Sequence, residues 1–127
     1  MEKTVIRTEN APAPFQGAPY NQAVRVGDLV FVAGQLGLKP GDTAVEGDVA
    51  VQTEQVMRNL AAILEAAGSS LDNLVKTSVF LQDLGDFAAM NEVYARHVGD
   101  RPPARSTFEV AKLPSGALVE IEAVAHT

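Results

Sequence analysis

The chain contains no cysteine, has few basic residues and has no long apolar run. The absence of cysteine excludes disulfides, thiol nucleophiles and cysteine-based metal sites. Lys and Arg number 10 against 16 Asp and Glu, and the net charge of −6 disfavours a non-specific nucleic-acid binder, whose affinity depends on cations that neutralise phosphates. No apolar run approaches the roughly 20 residues of a membrane-spanning helix. No secretory signal is visible, so we expect no membrane partner and a cytoplasmic location.

The length of 127 residues, with 46% hydrophobic content, predicts one domain that spans residues 1–127. The two histidines, His97 and His126, do not form a metal site at this spacing without cysteine. Ser106 has no histidine near it in the sequence, so a catalytic triad has no support. We therefore expect neither a bound metal nor a serine nucleophile.

Alternating hydrophobicity predicts six β-strands. They are expected at residues 3–7, 22–26, 29–33, 74–82, 105–111 and 118–125. Gly27-Asp28 is typical of the tight turn of a hairpin between the second and third strands. The proline-rich stretch 11–20 predicts an ordered loop without regular structure.

Two amphipathic helices are predicted between these strands. Asp48 can cap a first helix that runs to Ala67 and stops at Gly68, and Asp86 opens a second one. Each helix has one apolar face, formed by Val56, Leu60, Ile63, Leu64 and Ala67 in the first and by Phe87, Met90, Tyr94 and Val98 in the second. The order of elements indicates an α+β fold whose helices cover only one face of the sheet.

The strand predicted at residues 29–33 is apolar on both sides. Leu29, Phe31 and Ala33 point one way, whereas Val30 and Val32 point the other. Because the helices cover one face only, the second face is expected to pack against another copy of the chain. This pattern favours an oligomer over a monomer with an exposed apolar patch.

The last two strands are predicted to form a hairpin that brings a guanidinium near carboxylates. A register that joins their apolar rows places Arg105 on the face that bears Glu122, away from the helices. Arg105 is suited to bidentate carboxylate recognition, and Glu122 could act as a general base toward water. The alternative is a structural ion pair of Arg105 with Glu122 or Glu120 across an interface.

Seven segments form a recognisable series along the chain. They are Gly17-Ala-Pro-Tyr-Asn-Gln-Ala-Val24, Phe31-Val-Ala-Gly-Gln35, Asn59-Leu60 through Glu65-Ala-Ala-Gly68, Val75-Lys-Thr-Ser-Val-Phe80, Met90-Asn-Glu-Val-Tyr94, Arg101-Pro-Pro-Ala-Arg-Ser106 and Val119-Glu-Ile-Glu-Ala-Val-Ala125. In this order and spacing they closely resemble the RidA family, also called the YjgF or reactive-intermediate deaminase family. The last two segments are the most specific.

The resemblance implies a chorismate-mutase-like α+β fold, with a six-stranded mixed sheet backed by two helices. It further implies a homotrimer with sites in the clefts between subunits. In such a site Arg105 corresponds to the arginine that binds the substrate carboxylate, and Glu122 to the glutamate associated with the hydrolytic water. Other positions that match the family's pocket are Tyr20, Ala33, Gly34, Asn91 and Thr107.

Two of these pocket positions depart from the pattern of many family members. Ala33 stands where many members have serine, so one hydroxyl near the ligand is missing. A neutral hydrogen bond contributes about 0.5–1.5 kcal/mol, which would tune substrate preference or rate rather than abolish binding. Thr107 stands where many members have cysteine, which removes thiol chemistry from this position.

The function implied by the resemblance is hydrolysis of 2-imino and enamino acids, such as 2-iminobutanoate and 2-iminopropanoate, to 2-oxo acids and ammonia. This reaction prevents damage by reactive enamines and needs no cofactor, because a protonated imine is already electrophilic. The alternatives are a non-enzymatic module that binds small carboxylates, a ribonuclease and a chaperone. The low content of basic residues argues against the ribonuclease and against any nucleic-acid partner.

Overall fold

The computed structural model describes residues 1–127 and contains a six-stranded sheet covered on one side by two α-helices. The strands are β1 (Lys3–Ile6), β2 (Ala23–Val26), β3 (Leu29–Leu36), β4 (Leu74–Leu81), β5 (Ala104–Glu109) and β6 (Val119–His126), and the helices are α1 (Val49–Ala66) and α2 (Phe87–Val98). The strand order in the sheet is β1-β2-β3-β6-β4-β5. Only β4 and β5 pair in parallel, so the sheet is mixed. The predicted α+β fold is confirmed.

The predicted hairpin between β2 and β3 is present. Val26 pairs with Leu29 across the turn, and Gly27 adopts a φ of 58°, which a glycine reaches without the steric cost of a side chain. Strand β3 continues three residues beyond its predicted end. The extension contains an irregularity of the register between Val32 and Gln35, which alternation alone does not reveal.

Helix α1 begins and ends where its capping residues predict. The side chain of Asp48 accepts a hydrogen bond of 3.0 Å from the backbone N–H of Val51. The chain leaves the helix at Gly68, whose φ of 80° is in the left-handed region that favours glycine. Between these ends the apolar face is fully buried against the sheet, through Val56, Met57, Leu60, Ile63 and Leu64.

Helix α2 begins directly after Asp86, as predicted, although the Asp86 side chain makes no capping hydrogen bond. Three members of its apolar face are buried, namely Met90, Tyr94 and Val98. The fourth member, Phe87, is 41% exposed at the start of the helix. The helix therefore packs on the core along most of its length but presents one aromatic ring at its first turn.

The prediction that β5 and β6 form a hairpin is wrong. Strand β4 lies between them, paired in parallel with β5 and antiparallel with β6. The reason is that α2 is a crossover connection that returns the chain beside β4, and a crossover of this kind joins parallel strands. Strand β6 then enters between β3 and β4 and completes the sheet.

The face of the sheet opposite the helices carries a continuous apolar row. Register pairs place Val5, Val24, Phe31 and Val124 side by side across four neighbouring strands. Phe31 is 43% exposed there, whereas Val30 and Val32 are buried under the helices. The doubly apolar character of this strand is confirmed, and the second copy expected on its open face stays a prediction. Neither helix has the length and apolarity needed to cross a membrane.

We expect Leu60→Ala to lower the free energy of unfolding by about 2–5 kcal/mol, because truncation of a buried leucine loses transfer energy and leaves a cavity. Leu60 is fully buried at the centre of α1. Leu84→Ala is the matched control, since Leu84 is 47% exposed and should cost less than about 0.5 kcal/mol. Urea unfolding at one fixed protein concentration measures both values. Equal costs for the two variants would contradict the assignment of the core.

Candidate functional site

Arg105 lies on the helix side of the sheet. Its register partner on β4 is Thr77, which is fully buried under the helices. Glu122 pairs instead with Ser78, the next residue of β4, and therefore lies on the open side. The prediction that Arg105 and Glu122 share one face is wrong, because it assumed that their strands are neighbours.

The guanidinium of Arg105 contacts aromatic rings and no acid of its own chain. Its Cζ atom lies 4.9 Å from the ring centre of Tyr94 and 5.4 Å from that of Phe87. Both distances are within the range of a favourable cation–π interaction. The three ion pairs of the chain involve other residues. Arg105 therefore makes no ion pair within its own chain, and the alternative interpretation, a pair with Glu122 or Glu120 across an interface, stays a prediction.

Asn91 and Thr107, two further predicted pocket residues, accompany Arg105. Asn91 lies four residues after Phe87 on α2, and Thr107 lies two residues after Arg105 on the same side of β5. The Oδ1 atom of Asn91 and the Oγ1 atom of Thr107 are buried without a hydrogen-bond partner. A buried unpaired polar atom costs about 1–3 kcal/mol. We call this group, formed by Phe87, Asn91, Tyr94, Arg105 and Thr107, the α2–β5 cluster.

The other predicted pocket residues lie on the open face, around a β-bulge in β3. Val32 pairs with Ala123 and Gln35 pairs with Ile121, so Ala33 and Gly34 together oppose one residue of β6. That residue is Glu122 by position in the strand. The bulge puts both Ala33 and Gly34 next to the two glutamates of β6.

The side chain of Glu120 lies directly over Gly34. A Cβ atom placed on Gly34 would collide with the Glu120 carboxylate, and this is the close approach that the glycine permits. Burial raises the pKa of Glu120 above its ordinary value, and the nearby charge of Glu122 raises it further. A carboxylate with a raised pKa is a stronger base once it is ionised. Sequence reasoning preferred Glu122 and missed this feature of Glu120.

Glu122 lies in a more open position on the same face. It borders a shallow hollow shared with Phe31, Lys76 and Ser78. The side chain is exposed, and it makes no ion pair within the chain. Glu120 is therefore the more enclosed of the two glutamates, because its carboxylate lies against the backbone at Gly34.

Tyr20 lies at the end of the proline-rich loop and borders the same hollow as Gly34. The loop is held by the buried side chain of Gln22, which donates to the carbonyl oxygens of Thr8, Ala11 and Pro12 at 3.0, 3.2 and 2.8 Å. The hydroxyl oxygen of Tyr20 accepts a hydrogen bond from the backbone N–H of Phe15. Its own O–H group remains available as a donor. The predicted ordered loop is confirmed, and it fixes the position of the tyrosine.

The predicted residues thus form two groups on opposite faces of the sheet. Arg105, Asn91 and Thr107 belong to the α2–β5 cluster. We call the second group, formed by Tyr20, Ala33, Gly34, Glu120 and Glu122, the open-face cluster. The hollow between Tyr20 and Gly34 is about 30 Å³, close to the space of one water molecule. One copy of the chain therefore does not bring the two clusters together around a ligand.

The largest hollow of the chain, about 510 Å³, lies elsewhere, between the two helices and the loop that begins at Gly37. None of the predicted site residues borders it. Of its charged side chains, Glu92 pairs with Arg96 at 3.3 Å, whereas Lys39, Asp42 and Glu46 make no ion pair. Glu54 contacts Arg58 at 2.9 Å and, beyond the lining, His97 at 2.8 Å. The hydrogen bonds of Glu54, first of all the one from His97, lower its pKa. Because no residue that the sequence predicts for the site borders this hollow, it is a weaker candidate than the two clusters.

The comparisons with known proteins agree on one family. Residues 8–127 match the family model described as endoribonuclease L-PSP. The RutC family protein PH0854 of Pyrococcus horikoshii is 50% identical over 125 residues, which are 98% of either chain. Reactive Intermediate Deaminase A of Arabidopsis thaliana, a chloroplastic protein by its name, is 45% identical over 126 residues, 98% of this chain and 66% of the relative. The crystal structure of E. coli TdcF with bound serine is 38% identical, has a TM-score of 0.90 and matches over 98% of both chains.

We expect Glu120 to make the stability depend on pH, because its folded-state pKa lies above the ordinary value of 4.5. A raised folded-state pKa stabilises the fold fully below the unfolded-state pKa, and this contribution is lost as the pH rises through the folded-state pKa. Glu120→Gln removes that loss. In urea unfolding, the free energy of unfolding of this variant relative to wild type should therefore increase as the pH rises above 4.5 and through the folded-state pKa of Glu120.

Glu122→Gln serves as the control for this experiment. It removes the like charge but leaves the burial of Glu120, which is the larger cause of the shift. Most of the pH dependence should remain in this variant. A difference between Glu120→Gln and wild type that does not change with pH would contradict a raised pKa.

Proposed function

This chain belongs to the endoribonuclease L-PSP family, which includes the RutC and reactive-intermediate deaminase proteins, and from this premise we propose that it is a deaminase of 2-imino and enamino acids. Its substrates would include 2-iminobutanoate and 2-iminopropanoate, and its products would be 2-oxo acids and ammonia. One observation carries the proposal. The Arg105 guanidinium lies within 5.4 Å of the ring centres of Phe87 and Tyr94 and pairs with no acid of its own chain. Asn91, on the same helix as the two rings, and Thr107, on the same strand as the arginine, each have a buried polar atom that lacks a hydrogen bond.

Arg105 provides the recognition of the substrate carboxylate. A guanidinium presents a planar fork of N–H donors that matches the two oxygens of a carboxylate. E. coli TdcF, the relative solved with bound serine, holds a ligand that has such a carboxylate. Bidentate binding fixes the orientation of the adjacent imine carbon, so that hydration of the imine becomes an oriented reaction.

The complete site is proposed to form between copies of the chain, in a homotrimer. The α2–β5 cluster and the open-face cluster lie on opposite sides of one sheet, so they can face each other only across an interface. A contact of one cluster on one copy with the other cluster on the next copy is heterologous, and such contacts close into rings. The apolar row of the open face gives this interface a surface to bury.

Glu120 is the proposed general base. When ionised, it takes a proton from a water molecule while the water oxygen forms a bond to the carbon of the protonated imine. The electron pair of the C=N π bond moves to nitrogen, which gives a carbinolamine. The proton then passes to the amino nitrogen, the C–N bond breaks with its electron pair leaving on nitrogen, and ammonia departs. The carbinolamine hydroxyl loses its proton to form the carbonyl of the 2-oxo acid. Proton transfer by a placed side chain accelerates such steps roughly 10²–10⁴-fold.

The remaining pocket residues shape the reaction. Gly34 allows the Glu120 carboxylate to lie against the backbone of β3. Asn91 and Thr107 offer unpaired polar atoms on the helix and the strand that hold Arg105 and its rings. Tyr20 offers a hydroxyl donor from a loop that is already ordered. In the proposed interface these few polar groups would converge, as in sites for small molecules.

We expect wild-type protein to hydrolyse 2-iminobutanoate and Glu120→Gln to lose roughly 10²–10⁴-fold in kcat, because the amide cannot accept a proton. Glu122→Gln is the matched variant, with the same chemical change two residues away on the same face. It should retain most of the activity. Spectrophotometric decay of the imino acid in the presence of each purified variant measures the rates.

If Glu122→Gln lowers kcat far more than Glu120→Gln does, Glu122 is the general base and the proposed role of Glu120 is wrong. If the wild-type protein hydrolyses no imino acid while Arg105→Ala abolishes binding of 2-oxobutanoate, the chain is a carboxylate-binding module. Cleavage of RNA by the purified protein, with no hydrolysis of imino acids, would favour the ribonuclease implied by the family's name.

We expect a mixture of Arg105→Ala and Glu120→Gln chains to regain activity that neither variant has alone. In a ring of three subunits, each mixed trimer contains one cleft with an intact arginine from one copy and an intact glutamate from the next. Random mixing of equal amounts should restore about a quarter of the wild-type activity. The chains are unfolded and refolded together, and the mass in solution is measured. Refolding the variants separately is the control, and an inactive mixed trimer would contradict a shared site.

A further inference from the structure

We infer that the rings of Phe87 and Tyr94 position the guanidinium of Arg105 by contacting its flat faces, which leaves its edge free for a carboxylate. This inference rests on the proposed role of Arg105 in substrate binding. The rings lie 5.4 Å and 4.9 Å from the guanidinium carbon, close enough for both to attract the cation. We call these two residues the aromatic clamp.

The geometry of the guanidinium explains why the clamp is compatible with ligand binding. All five N–H donors lie in the plane of the group, whereas an aromatic ring attracts the cation through the face of its π-system. A guanidinium whose flat faces contact the rings is therefore held without the loss of a donor. Carboxylates elsewhere in the chain do consume donors, since Arg58 and Arg96 each donate to a glutamate one helical turn away.

An acidic partner in the same place would have a different effect. It would occupy the edge of Arg105, cancel its charge and compete with the carboxylate of the ligand. Aromatic rings attract the cation without any of these consequences. The α2–β5 cluster accordingly keeps its one cation free of acids of its own chain.

Tyr94 is itself held in place. Its hydroxyl lies 2.7 Å from the hydroxyl of Thr77, and both side chains are buried. Thr77 is also the register partner of Arg105 on β4. Thr77 therefore contacts both parts of the arrangement: it pairs with Arg105 across the strands and bonds to the hydroxyl of Tyr94.

Phe87 is the better residue for a test, because it is 41% exposed and its truncation leaves the core intact. We expect Phe87→Leu to weaken binding of 2-oxobutanoate about 2–5-fold and to raise the KM for 2-iminobutanoate by the same factor. The kcat should stay close to the wild-type value, because the contact holds ground state and transition state equally. Phe87→Tyr keeps a ring over Arg105 and should restore both constants. Calorimetry measures the binding, and the decay of the imino acid measures the kinetics.

A double-mutant cycle shows whether Phe87 acts through Arg105. In an Arg105→Lys background, which keeps the charge but not the planar group, Phe87→Leu should change 2-oxobutanoate affinity much less than in wild type. An equal effect in both backgrounds, or no effect in wild type, would overturn the clamp. If 2-oxobutanoate binding depends on Phe87 as expected while wild-type protein hydrolyses no imino acid, the clamp stands and the proposed deaminase function fails. If hydrolysis depends on Arg105 but not on Phe87, the function stands and the clamp fails.

Discussion

The parallel pairing of β5 with β4 decides which side of the sheet carries the Arg105 guanidinium. Each residue of β5 points the same way as its partner on β4, and Thr77, the partner of Arg105, is buried under the helices. A shift of one residue would turn the arginine to the opposite face, because side chains alternate along a strand. The contact with α2 and the separation from the glutamates of β6 both follow from this register.

The sheet divides the chemistry of the chain into two halves. A cation with free donors and two unpaired polar atoms lie on the side of α2, whereas a half-buried carboxyl group, a bulge and a tyrosine lie on the open face. The first half has polar atoms without hydrogen-bond partners, and the second has an apolar surface that is open to solvent. Such a division is costly for an isolated chain, because unpaired polar groups and an exposed apolar row both raise its free energy. An assembly of several copies can remove both costs at once.

Local signals in the sequence were sufficient for most of the fold. Asp48 and Gly68 mark the ends of α1, and Gly27-Asp28 marks the hairpin, because caps and turns depend on residues close in the chain. The neighbours of β5 depend on contacts distant in sequence, and alternation is the same whichever strand lies beside it. For this reason alternation predicts the two faces of β5 and of β6 correctly. It does not predict that β4 lies between them. The sequence likewise does not distinguish Glu120 from Glu122, since two residues on one face of a strand differ only in what surrounds them.

Gly34 contributes to the open-face cluster because it has no side chain. The conformation of its backbone does not demand glycine, since its φ is not among the positive values of the chain. What demands it is space, because the Glu120 carboxylate occupies the volume that any Cβ would fill. Even alanine, the smallest replacement, would push the acid away from the strand. Any side chain at residue 34 would therefore act on the site through the acid that it displaces, although this residue binds nothing through a side chain of its own.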